Sequence, residues 1–103
     1  MVTNGRPVGK CYHTFTGHTD EIVQCVPFGT NLATASFDTQ VKLWDMEKCT
    51  LVCTLSGHKF RISSIVAFEN KLITSSWDKT VKVIICSNGP WVLMGFSGLG
   101  VSF

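Results

Sequence analysis

The chain has 103 residues, of which 45% are hydrophobic and only 16% charged, and its formal net charge is +2. That length allows one small domain with a modest core. So sparse a positive charge excludes the dense Lys and Arg field by which proteins hold DNA, RNA or acidic lipid, and neither nucleic acid nor membrane is an expected partner.

Residues 1–10 are polar, with Asn4-Gly5 and Pro7, and read as a flexible lead-in that lacks the apolar stretch of a signal peptide. From Cys11 the chain turns to short segments rich in β-branched and aromatic residues, separated by turn signals. The predicted strands are 11–15, 22–28, 31–36, 40–45 and 50–55, then 62–68, 71–75, 80–85 and 91–95, with no helix. Gly29-Thr30 and Phe37-Asp38-Thr39 supply tight turns. Val83 to Phe103 carries no charge, but Ser87-Asn88-Gly89-Pro90 divides it into pieces too short to cross a bilayer as helix.

Residues 11–45 and 51–85 repeat one pattern at a constant offset of 40 positions, with no gap. Gly17-His18 recurs as Gly57-His58, Ile22 as Ile62, Phe28 as Phe68, Thr34 as Thr74, Ser36 as Ser76, Asp38 as Asp78 and Val41-Lys42 as Val81-Lys82. A period near 40 residues is that of four-stranded propeller blades stacked on copies of themselves. Trp44, Leu43, Phe28, Phe68 and Val83 are expected in the core between blades. Lys42, Lys79 and Lys82 are expected to solubilise strand segments and protect edges.

The ordered set Gly17-His18, Leu32-Ala33-Thr34-Ala35-Ser36, Asp38 and Val41-Lys42-Leu43-Trp44-Asp45 resembles the WD-repeat β-propeller family, with Trp44-Asp45 lying 26 residues past His18. The resemblance covers about residues 11–85, with blades at about 17–56 and 57–96 and a divergent tail at 86–103. It implies an all-β fold of two four-stranded antiparallel blades plus a leading strand, Cys11 to Phe15, belonging to a preceding blade. The second copy departs from the pattern, with Ile84 and Ile85 where the first has Trp44 and Asp45. A propeller closes with roughly four to eight blades, so two make an incomplete ring. Each outer blade would leave an apolar face, neither copy carries a polar cap, and self-association through those faces is an expectation.

His18, Thr34, Ser36 and Asp38 have the residue types of a hydrolase triad, yet no oxyanion donors or glycine-rich nucleophile turn accompany them. The resemblance implies instead a buried structural relay in which Asp38 accepts from His18, His18 meets Thr34, and Thr34 reaches the Trp44 indole. His58, Thr74 and Asp78 repeat it without the last member, because Ile84 cannot donate, and the second blade is expected to be the looser one. Phe37 and Trp77, each preceding a turn aspartate, are placed by the resemblance on the rim around the propeller axis. With Glu21, Val23, Arg61 and Ser63 they form the expected partner-binding face, aromatic side chains beside charges being frequent at hot spots.

Five cysteines, Cys11, Cys25, Cys49, Cys53 and Cys86, are an odd number without a CxxC, so no metal or cofactor is expected. Cys25 stands where the second copy has Ile65 and is expected to be a small core side chain. Unpaired thiols fit the cytoplasm or nucleus. The expected function is a non-enzymatic scaffold or adaptor binding a protein or peptide, as a fragment or short isoform of a longer propeller. The alternatives are a small hydrolase using His18 with a hydroxyl, and a nonfunctional truncated product.

Overall fold

The computed structural model describes residues 2–3, 6–7 and 9–85. Their backbone forms a two-stranded ladder of β1 (Val2–Thr3) and β2 (Arg6–Pro7), followed by two meander sheets. The first sheet has β3 (Ile22–Phe28), β4 (Asn31–Ser36), β5 (Gln40–Asp45) and β6 (Thr50–Ser56), hydrogen-bonded in chain order. The second has β7 (Ile62–Phe68), β8 (Lys71–Ser76) and β9 (Val81–Ile85). All pairs are antiparallel, so each strand reaches the next through a short turn and every sheet is local in sequence.

The 40-residue repeat is also a repeat of backbone geometry. The register slips between Ile22 and Gln24 in the first sheet and between Ile62 and Ser64 in the second, an extra residue in the same place. The turn after β3 passes through Gly29 at φ 62°, whereas its counterpart Glu69 takes φ 56° with a side chain attached. Thr39 and Lys79 likewise share the left-handed region at φ 76° and 71°. Left-handed backbone is open to glycine and strained for the others, so neighbouring contacts must hold those turns.

The sheets pack face to face and the core lies between them. From β3, Phe28, Val23 and Val26 point into the joint, and from β7, Ile62 and Ile65 meet them, with Ala33, Ala35, Val41, Leu43, Leu72 and Ile84 behind. The Gln24 side-chain carbonyl accepts the Ile65 backbone N–H at 3.2 Å, tying one blade to the other. The same registers behave oppositely on the outer faces. Ile22 is 51% exposed where Ile62 is 0%, and Phe68 is 60% exposed where Phe28 is 9%. Each blade has one covered and one open face, because the described residues provide one neighbour per blade.

That asymmetry corrects three sequence expectations. Cys25 is exposed rather than in the core: it points to the open side of β3, while Ile65 points into the joint. Phe68 is exposed for the same reason. Cys11–Phe15 is not a strand, since its ladder partner would lie in a blade preceding Ile22 and no described strand supplies it. Phe15 instead stacks on Trp44 with ring centroids 4.8 Å apart. Within residues 1–10 the lead-in contains the β1–β2 pairing. Lys42 also departs from expectation, for it is buried on the inner strand β5 and its ammonium donates to the Thr54 hydroxyl at 2.9 Å. The expected strand at 91–95 and the 86–103 tail lie outside the described residues.

Candidate functional site

Two groups of side chains carry polar chemistry, and the first is the relay beneath the loops. In the first blade the His18 Nδ1–H donates to Asp38 Oδ2 at 2.7 Å, the Thr34 hydroxyl donates to His18 Nε2 at 2.6 Å, and the Trp44 indole N–H donates to Thr34 Oγ1 at 2.9 Å. For a neutral imidazole this is the proton placement in which each of the three bonds has one donor and one acceptor, and the Thr34 hydroxyl also lies 3.4 Å from the Lys42 carbonyl. The carboxylate takes two more donors, the backbone N–H groups of Thr19 and Gln40 at 3.0 and 2.9 Å. The side chains of His18 and Asp38 are only 3% and 4% exposed. Gly17 permits the close approach of this loop, because a Cβ there would stand 3.2 Å from the Trp44 ring.

The second relay keeps the first two links, has Ile84 where the indole of the third stood, and gains a hydroxyl at its carboxylate end. His58 Nδ1 meets Asp78 Oδ2 at 2.9 Å and His58 Nε2 meets the Thr74 hydroxyl at 2.7 Å. Where Gln40 stood in the first blade, Thr80 turns its hydroxyl to Asp78 Oδ1 and to the His58 ring. Its backbone N–H also donates to Asp78 Oδ1, and that of Lys59 to Oδ2. The two relays are similarly buried, with both histidine side chains 3% exposed and Asp38 and Asp78 at 4% and 7%. Sequence reasoning missed Thr80, although a hydroxyl two residues past a turn aspartate was the available signal.

Burial raises the proton affinity of both carboxylates, but for Asp38 the bonds from His18, Gln40 and Thr19 outweigh it and hold the acid below its ordinary range. Asp78 is held further down against the same burial, chiefly by the Thr80 hydroxyl, with Lys59 and His58. A depressed folded-state pKa stabilises at every pH above the unfolded value and is lost as the pH falls through the folded one. Thermal midpoints measured by circular dichroism should therefore hold down to about pH 4 and fall below it. In Asp38→Asn the acid-side fall should be shallower, and an identical pH profile would show that the carboxylate contributes nothing.

The second group is on the crown, where the loop before the first strand of each blade meets the turn between its second and third strands. The Phe37 N–H donates to the Glu21 carbonyl at 2.8 Å and the Trp77 N–H to the Arg61 carbonyl at 3.0 Å. Blade packing brings three of the sequence-predicted residues together: the Arg61 guanidinium lies 4.6 Å from the Phe37 ring centroid and 5.2 Å from that of Trp77. Arg61 thus bridges both blades. Glu21 stays exposed at the crown. Val23 packs against the inter-blade core, on the covered side of β3, and is not part of an outward face. Ser63 is exposed but its hydroxyl turns to Ser75 on the neighbouring strand. Phe60, 61% exposed beside the 62% exposed Trp77, belongs to the crown and was not singled out from sequence.

Among the described residues, no group of three or more His, Cys, Asp or Glu side chains is gathered as a metal site would be. No helix there is long and apolar enough to cross a membrane.

Comparison with known proteins agrees with this geometry. The family described as "WD domain, G-beta repeat" matches residues 9–45 and 49–84. Notchless protein homolog of Arabidopsis thaliana is 50% identical over 44 residues, which is 40% of this chain and 9% of that protein. The crystal structure of the RRP9 WD40 repeats is 33% identical with a TM-score of 0.64, over 69% of this chain and 23% of that one. The computationally designed Ika4 protein, at 22% identity, shares the fold with a TM-score of 0.71 over 88% of this chain and 58% of its own. The chain thus spans under a quarter of the length of the two natural relatives. With two consecutive blades, each tying its Gly-His loop to a turn aspartate, it belongs to the WD-repeat family, whose repeats generally serve as scaffolds for protein–protein interaction.

Proposed function

We propose that this chain is a non-enzymatic adaptor whose crown docks a protein or peptide, and that it works as part of a longer propeller. The observation that carries the docking reading is the crown itself, where Trp77 and Phe60 stand exposed beside the Arg61 bridge. Exposed aromatic side chains, with two rotatable bonds each, lose little conformational freedom on binding, and the two ring contacts already restrict Arg61. The larger propeller is supported by the open faces of both blades and by the small share of each natural relative that the chain spans. In isolation those faces, with Ile22, Val66 and Phe68 uncovered, would favour self-association. Unpaired Cys11, Cys25, Cys49 and Cys53 suit a cytoplasmic or nuclear setting.

The relay is better suited to bracing than to hydrolysis. Thr34, the hydroxyl that His18 holds, is 6% exposed and already accepts the Trp44 N–H, so a substrate carbonyl has no route to it. His18→Ala should lose folding before any ester hydrolysis, and hydrolysis abolished in a still-folded variant would favour an enzyme. For docking, a photo-crosslinking amino acid at Phe60 should trap a discrete protein adduct in cell extract that Trp77→Ala diminishes. The same group at Val52, on the outer strand β6, should trap none. Adducts from Val52 with none from Phe60 would overturn the crown reading.

A further inference from the structure

Resting on the crown as the docking surface, we infer that its second blade takes an acidic peptide segment carrying an apolar side chain. The exposed charges of the second crown are basic and those of the first acidic, with the sign reversed outright at one register position, Glu21 against Arg61. Lys59, Phe60, Arg61 and Lys79 occupy the places that Thr19, Asp20, Glu21 and Thr39 hold in the first. Lys59, Phe60, Arg61, Trp77 and Lys79 are all exposed. Their two loops are fastened to each other by the Trp77 N–H on the Arg61 carbonyl, the Ser76 hydroxyl on the Phe60 carbonyl at 3.0 Å, and the Lys59 N–H on Asp78. The only carboxylate of that crown, Asp78, is turned inward to His58 and Thr80, with a side chain 7% exposed, and offers nothing to a partner.

Arg61 is prepared for a carboxylate. Its guanidinium carbon lies 4.6 Å from the Phe37 ring centroid and 5.2 Å from that of Trp77, so two cation–π contacts hold the charge at the exposed crown. Among the described residues no acidic side chain is ion-paired to Arg61, Lys59 or Lys79. Phe60 and Trp77 supply apolar area beside those cations, so the matching segment needs an aliphatic or aromatic residue next to its acids. A peptide suits this surface better than a polyphosphate chain. Asp20 and Glu21, one blade away, would repel a strand running over both crowns, whereas a peptide can set its acids over the second blade alone.

A random peptide library selected on the full chain tests this, with the Trp77→Ala variant as the subtracted control. Asp or Glu next to Leu, Phe or Trp should be enriched, and the selected peptides should lose about tenfold or more in affinity on Lys59→Glu/Lys79→Glu. Those two side chains lie outside the relay, and unchanged circular dichroism confirms that the variant folds. Binding should also weaken steeply with added salt. Neutral or basic sequences that still depend on Trp77 would overturn the acidic assignment and leave the crown standing. No enrichment over the Trp77→Ala control would sink both. A uridine oligonucleotide that displaces the selected peptides and binds more tightly would assign the surface to nucleic acid and overturn the inference.

Discussion

Asp78→Ala is expected to destabilise the chain toward the upper end of about 1–3 kcal/mol, the range for buried polar groups left without a partner. The change orphans several donors at once: the His58 ring, the backbone N–H groups of Lys59 and Thr80, and the Thr80 hydroxyl. Water cannot easily replace the carboxylate, since the His58 side chain is 3% exposed. The loop at 58–61 and the turn at 76–79 would lose the ties made through this carboxylate, keeping only the Trp77 N–H on the Arg61 carbonyl and the Ser76 hydroxyl on the Phe60 carbonyl. Urea unfolding followed by tryptophan fluorescence reads the loss, and a midpoint equal to that of the parent chain would mean that the relay braces nothing.

Ile65→Ala should lose about 2–5 kcal/mol, as truncation of a fully buried aliphatic side chain does. Cys25→Ala, at the same register of the other blade, should stay within about 0.5 kcal/mol, because its side chain faces solvent. The contrast isolates the joint between blades from the strand that carries it. A chain this small has little stability in reserve, so the first variant is expected to melt well below the second. Equal losses at the two positions would contradict the face-to-face packing.

Much of the fold was legible because the repeat is a repeat of local structure. Strand limits, turns and both pairs of relay residues follow from types placed 40 positions apart, and local hydrogen bonds reproduce them in each copy. What the repeat could not reveal is which neighbour each copy has. Cys25 and Ile65, or Phe28 and Phe68, are equivalent in register, yet their environments differ because β3 is covered on one side and β7 on the other. The contact of Arg61 with Phe37 escaped for the same reason: the two lie in different copies, joined only when the blades pack. Thr80 escaped because it departs from the repeat, standing where the first copy has Gln40. Lys42 was misplaced by its charge, since a long aliphatic stem can lie buried while its ammonium finds a hydroxyl.

Nuclear magnetic resonance of the histidine rings tests most directly whether one braced sheet unit is present twice. For both His18 and His58 it should show a slowly exchanging Nδ1–H, with Overhauser contacts to the Thr34 and Thr74 methyl groups, each 16 residues away in sequence. Ring protons that exchange at the rate of free imidazole in either copy, without those contacts, would contradict it.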